Sequence, residues 1–362
     1  MAEMKTEYLL ALNAHEKIGS QTIKKALASF DEDIEKLYSA STSELNSKLG
    51  NKIAGYITEA KNNFNAEEEI EKLQRLNIGY MTLYDKNYPP LLKETPDFPA
   101  ILYIRGDISA LKLPSIAVVG SRKYSLYGKK VAYSLSKKIS EAGLSIVSGL
   151  ALGIDAVSHR AALDAGGITV GVLGCGLDKI YPASNLSIGR EILEKGGAII
   201  SEFPPGTPPL VHHFPQRNRI IAGLSLGTLV VEAAEESGAL ITAYCALDYN
   251  REVFAVPGTI DAETSKGTNM LIQKGAKMVT KPEDIFEELD VKVKKSEQKA
   301  KENFPESPEE KKITECLKTG DKSVDEIIAE TKLNVVALNR SLSMMEMKGM
   351  VENLGGSRFK LC

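Results

Sequence analysis

The sequence predicts an α/β fold: a doubly wound, mostly parallel sheet, with a small helical domain before it and a winged helix after it. Three observations predict this. Seven short apolar runs, SIAVVG, LSIVSG, ITVGVLG, GAIISEF, LGTLVVEA, REVFAVPG and AKMVT, recur between residues 115 and 280. Amphipathic stretches such as GKKVAYSLSKKISEAG and IDAVSHRAALDAG separate most of them, and strands this rich in Val, Ile and Leu are buried on both faces of a parallel sheet. Finally, 362 residues exceed the usual size of one domain, so further units are expected around the sheet.

Residues 1–75 are charged and helical in pattern. Within them, LLALNAHEKIGSQTIKKALASF breaks its helical spacing at Ile18-Gly19-Ser20. Two helices around a Gly turn suit either a helix-hairpin-helix, whose turn amides contact phosphates, or a plain helical cap. The sheet domain is expected over 76–282, its first part rich in Pro and aromatics and extended along an edge. Residues 283–308 are charged and poorly patterned, which suggests a linker. Residues 309–362 read as three short helices and a hairpin, the order of a winged helix.

Composition narrows the function. No run approaches the roughly 20 apolar residues of a membrane span, and the start MAEMKTEYLL has neither the basic region nor the cleavage site of a signal peptide. The four cysteines are scattered without a CxxC pair, against both a disulfide framework and a zinc site, so a cytoplasmic protein is expected. With a net charge of −3, any polyanion must be met by a local concentration of positive charge.

That concentration falls on loops at strand ends, where doubly wound folds bind ligands. In AVVGSRKYSLYG a strand ends at Gly120, Ser121 and Arg122 follow, and a helix begins near Gly128. Such a junction offers backbone N–H groups to an anion. It is neither a GxGxxG fingerprint nor a GxxxxGK[ST] loop, which removes the main support for a dinucleotide or ATP cofactor, and no cofactor is expected.

SGLALGIDAVSHRAAL repeats the arrangement, with Gly149 and Gly153 for tight backbone and Asp155 in the first helical turn. Asp155 and His159 suit acid–base chemistry, but with no nucleophile nearby we read them as structural and assign no catalytic residue. In HHFPQRNRIIAG, His212 and His213 are adjacent and diverge, so no metal is assigned; they offer conditional charge or hydrogen bonds beside Phe214. Arg217, Asn218 and Arg219 lie near a helix start, where a cation is unfavourable unless something negative sits opposite. Phe214 is a core plug or a platform for a base. Glu232, Glu235 and Glu236 follow a strand as catalytic carboxylates, solvated helix-start charges or partners of the arginines. We favour the last two roles.

GSR at 120–122, SGLALGIDAVSHRAAL, VLGCGLDKIYPASN, SEFPPGTPP, HFPQRNRIIAG, VVEAAEESGALITA and FAVPG with SKGTNMLIQKGA are together similar to the DprA/Smf DNA-processing family. The likeness runs almost unbroken from about residue 80 to 282. It implies a Rossmann-like core that binds single-stranded DNA, protects incoming strands in natural transformation, loads the RecA recombinase and forms a homodimer. It also implies a pocket in which Phe214 meets a base and Arg122, Arg217, Asn218 and Arg219 contact phosphates or hold the pocket. Ser121 and the amides around Gly149 would complete an anion cradle. Some members have a Lys where this chain has Val211, and others a basic residue in the loop after Tyr181-Pro182, so charge here rests more on Arg122.

Residues 266–282, with the apolar Met270 and Leu271, are a candidate for the dimer contact. Lys129, Lys130, Lys137 and Lys138 fit a solvated helix face. The would-be recognition helix LNVVALNRSLSMMEMKG offers only Arg340 and Lys348, opposed by Glu346, and its methionines suit core or protein contact better than DNA. A rival reading is an enzyme of the LOG-type phosphoribohydrolase kind, whose PGGxGTxxE motif Gly227-Thr228 and Glu232 approach. Here the spacing is one residue longer and the Pro-Gly-Gly is missing.

Overall fold

The computed structural model describes residues 2–291, 307–347, 350–355 and 357–361. Helices α1 (Ala2–Ala14), α2 (Ser20–Ala28), α3 (Ile34–Ser39), α4 (Thr42–Leu49), α5 (Asn51–Asn63) and α6 (Ala66–Arg75) come first. Three of them start where short polar side chains accept free amides: Asp33 from Glu35 and Lys36, Ser41 from Glu44, and Asn65 from Glu68. Their buried faces, including Leu9, Leu12, Ile23, Leu37 and Ile57, form one core cluster that continues into the sheet domain through Ile101, Tyr103 and Ile199.

The sheet domain alternates strand and helix. It runs β1 (Gly79–Thr82), α7 (Pro90–Lys93), β2 (Ile101–Gly106), β3 (Ser115–Val119), α8 (Leu126–Glu141), β4 (Ser145–Ser148), α9 (Ile154–Asp164), β5 (Thr169–Val172), α10 (Leu186–Glu194) and β6 (Ala198–Ser201). It continues with α11 (His213–Leu224), β7 (Gly227–Val230), α12 (Gly238–Asp248), β8 (Glu252–Ala255), α13 (Glu263–Gln273), β9 (Lys277–Met278) and α14 (Glu283–Glu288). The strand order is β1-β2-β6-β5-β4-β3-β7-β8-β9. From β6 to β9 every pairing is parallel, whereas β1 and β2 are antiparallel. All seven apolar runs of the sequence are strands here, and the Pro-rich leading segment supplies the antiparallel edge.

The chain reverses its direction of winding between β3 and β7, so the loops leaving those two strands border the crevice where such sheets take ligands. One expectation changes. Residues 283–291, read as the start of a linker, contain α14, whose Ile285 is fully buried beside Phe286 and Leu289 in the core under α8. A charged surface hid an i, i+1, i+4 apolar face.

The second unit comprises α15 (Pro308–Leu317), β10 (Lys322–Ser323), α16 (Val324–Thr331), α17 (Val335–Met347), β11 (Val351–Gly355) and β12 (Arg358–Leu361). Capping boxes at Ser307 and Ser323 start α15 and α16. In α17, Leu338, Leu342 and Met345 are buried, while Val336, Arg340 and Met344 are exposed. Lys348 lies outside the described residues.

Candidate nucleic-acid interface

A cleft of about 730 Å³ opens at the carboxyl ends of the parallel strands, bounded by the loop after β3, the start of α11 and the start of α12. Arg122 is exposed on its rim and makes no hydrogen bond or ion pair among the described residues. Its guanidinium carbon sits 5.3 Å from the centre of the Phe214 ring, within cation–π reach. Phe214 is half-buried and meets Tyr181 at 5.8 Å between ring centres. A cation over an aromatic pair therefore faces solvent at the cleft mouth.

Arg217 is placed differently. Only 3% exposed, it donates from Nη1 to Gly149 O at 2.6 Å and also to Val172 O, the carbonyls where β4 and β5 end. Burial pulls the guanidinium down to about 10; Asp155 opposes that shift and Arg122 adds to it, so the group stays charged at neutral pH. The negative partners that a cation near a helix start requires are thus strand-end carbonyls and the buried Asp155. Arg217 lies under the cleft and braces its floor. The helix pattern explains this, because Arg217 shares a stripe with His213, Ile220, Ile221 and Leu224, all buried.

Gly149 is part of the same brace. A methyl group on it would lie 2.5 Å from the Arg217 guanidinium nitrogens. Its amide donates to Asp155 Oδ2 at 3.1 Å, as does the Ala151 amide at 3.4 Å. The Gly149 and Ala151 amides, expected to help cradle an anion, are therefore spent on Asp155, a correction to the sequence reading. Asp155 thus holds the loop after β4, its pKa raised by burial and held back by Arg217. Ser121 also shapes backbone: its hydroxyl donates to Lys123 O at 2.8 Å and accepts from Lys123 N at 3.1 Å, and its amide donates to Glu232 O.

Asn218 stays on the cleft side, donating to Gly238 O at 3.1 Å. Arg219 does not. Two residues from Arg217 on a helix is a turn of about 200°, and Arg219 points away from the cleft to donate to Asp97 O and Glu202. A direct phosphate contact by Arg219 in this cleft is incompatible with that orientation.

His159 is fully buried, with Nδ1 2.7 Å from Thr169 Oγ1, and burial drives its pKa down to about 3, with Arg217 adding to the effect. His213 stacks on Phe203 at 4.1 Å and its pKa is lowered, first by burial and then by His212, which disfavours the charged form of this ring beside Phe214. Among the described residues, no group of three or more His, Cys, Asp or Glu could hold a metal.

Glu232 is buried and, among the described residues, is neither solvated nor an arginine partner. It accepts from Ser125 N at 2.9 Å and Ser125 Oγ at 2.5 Å, anchoring the start of α8. Glu235 and Glu236 are exposed, with Glu236 on the cleft wall. Tyr181 was missed in the sequence: its loop was read only for lacking a basic residue, although the aromatic stood beside the Pro. Asn185 in that loop is also structural, donating to Leu150 O and Ala151 O at 2.9 and 3.0 Å. Leu271 is buried, so the apolar group exposed in the 266–282 region is Met278 on the outermost strand.

Residues 79–290 match the family model described as DNA recombination-mediator protein A, and 297–357 match a DprA winged helix domain. Protein Smf of Escherichia coli is 46% identical over 62% of this chain and 60% of its own length, so the match spans three-fifths of that relative. DNA processing protein DprA of Bacillus subtilis is 48% identical over 62% of this chain and 77% of its own. Protein Smf of Synechocystis is 32% identical over 99% of this chain and its own full length.

The solved structure of DprA from Streptococcus pneumoniae superposes with a TM-score of 0.69 at 37% identity, covering 78% of this chain and 97% of that one. DprA from Helicobacter pylori, whose structure is described as giving insights into its single-stranded DNA binding mode, superposes at 0.53 with 31% identity, over 59% of this chain and 97% of that one. Strand order, the cleft at the strand ends and these matches agree: the chain belongs to the DNA recombination-mediator protein A family, DprA/Smf.

Proposed function

We propose that this protein binds single-stranded DNA in the cleft at the strand ends, without reading base sequence, to protect strands and to load the RecA recombinase during transformation and recombination. The observation that carries the reading is Arg122, exposed and unpaired among the described residues, seated over the Phe214 ring beside Tyr181. A single strand exposes phosphates and base faces together, and one cation over an aromatic pair answers both. Neither contact distinguishes one base from another. The single-stranded DNA binding mode described for the H. pylori relative supports the same ligand.

Among the residues first expected at the pocket, Arg122 and Phe214 are assigned to the strand itself and Asn218 to the cleft wall. Ser121, Gly149 and Arg217 shape the site from beneath. A homodimer through the edge of β9, where Met278 is half-exposed, would place two such clefts on one strand and raise avidity. No described helix is long and apolar enough to cross a membrane, and we place the protein in the cytoplasm.

The test is fluorescence anisotropy with labelled oligo-dT, oligo-dA and a mixed-sequence strand, and a duplex as competitor. The expected result is similar affinity for the three single strands, weak competition by duplex, and about a 5- to 150-fold loss in Phe214→Ala, the range for one stacked base. Undiminished binding in Phe214→Ala would move the site elsewhere.

A further inference from the structure

Arg219 leaves the cleft, yet it belongs to the helix that carries Phe214, and its partners reach into the N-terminal helices. Glu202 Oε2, which accepts from Arg219, also accepts from Ser20 Oγ at 3.0 Å. Asn13 Nδ2 donates to the backbone oxygen of the same Glu202 at 3.1 Å. Glu202 is buried, and its other carboxylate oxygen has no hydrogen-bond partner among the described residues, so its side-chain position is held by Ser20 and Arg219. The next residue, Phe203, stacks on His213 at 4.1 Å, one residue before Phe214. Residues 202 and 203 thus grip α11 at two points, positions 213 and 219, about one and two-thirds turns apart.

We infer that the N-terminal helical unit is a positioning part of the strand-binding site. Asn13 and Ser20 fix Glu202; Glu202 and Phe203 fix the rotation and advance of α11; α11 sets the Phe214 ring under Arg122. Arg219 is a positioning residue in this chain of contacts. Lys24 adds a second tether, donating to Pro96 O at 2.6 Å next to Asp97, which also faces Arg219. The Gly19 turn, read in the sequence as a phosphate contact or a plain cap, carries its Ser20 inward as this joint. The inference rests on the single-stranded DNA reading above.

The experiment is a double-mutant cycle on the full chain with labelled oligo-dT, joining Asn13→Ala/Ser20→Ala to Phe214→Ala, with hydrogen exchange measured on the free proteins. In the otherwise native chain, Asn13→Ala/Ser20→Ala is expected to weaken binding about three- to tenfold, the effect of removing one or two hydrogen bonds. The salt slope stays the same, since no phosphate contact is removed. In the Phe214→Ala background the same change is expected to matter less than about 1.5-fold, because the ring to be positioned is gone. Amide exchange should rise in 213–219 and not in α12.

Arg219→Met should mimic the loss and Arg219→Lys recover part of it. Equal losses in both backgrounds, or no faster exchange in α11, overturn the inference. If instead Arg122→Ala and Phe214→Ala bind as tightly as the native chain, it is the underlying binding site that fails. Ser20→Ala alone removes a single hydrogen bond and keeps the test available should the pair unfold the protein.

Discussion

Arg122 and Arg217 line the same cleft and differ in almost everything else. Arg122 sits on a short loop after β3, exposed and without an ionic partner among the described residues. Arg217 sits one helical turn into α11, buried on two strand-end carbonyls. An exposed guanidinium keeps its donors for a ligand, and the salt around it sets the strength of that contact. A buried one has surrendered its water and must keep its internal acceptors, so its role is to hold the floor in place. Positive charge near a ligand site is therefore two devices, one that binds and one that organises.

The sharpest way to break this contrast is Arg217→Ala. It strands the carbonyls of Gly149 and Val172 and leaves Asp155 buried without its compensating cation. Urea denaturation should report a loss of about 3 kcal/mol or more, whereas Arg122→Ala should change stability by less than about 0.5 kcal/mol. A mild Arg217→Ala would mean that the carbonyls find other donors. Gly149→Ala comes next. Its new methyl would press on the Arg217 guanidinium, and a loss of about 1–3 kcal/mol is expected. An unchanged midpoint would show that the side chain yields freely.

A finer test uses pH. His159 is held neutral, its pKa lowered to about 3, while in the unfolded chain it titrates near 6.5. Below about pH 6.5 the unfolded state takes up a proton that the native state refuses, so stability falls as pH drops towards 3. The slope contributed by this one group approaches about 1.4 kcal/mol per pH unit. His159→Gln should flatten the stability curve between pH 6.5 and 4.5. A curve as steep as the native one would assign the acid sensitivity to other groups.

Much of the fold was legible because the apolar runs of β3 to β7 are buried along their whole length, and such burial leaves little that is polar to disguise them. The antiparallel edge and α14 were harder: β1 and β2 sit among Pro and aromatic residues, and α14 hides its apolar face among acidic side chains. At the site, Arg122 and Phe214 stood out because loops at strand ends are where such sheets bind. The division of labour between the arginines depended on the rotation of α11. That rotation was recorded in the stripe 213, 217, 220, 221 and 224, yet a charged residue on an apolar stripe reads easily as surface. The direction of Arg219 depended on Glu202, in the strand-end segment before α11, and Tyr181 on the course of a loop; neither follows from local pattern.

The central claim is that Arg122 is the cation that meets the strand. The direct measurement is the affinity of labelled oligo-dT for the native chain and for Arg122→Ala across a series of salt concentrations. We predict at least about tenfold weaker binding at low salt and a log–log slope shallower by about 0.7, as expected when one fewer phosphate of a single strand is neutralised. An Arg122→Ala protein that binds with the native affinity and the native slope would contradict the account.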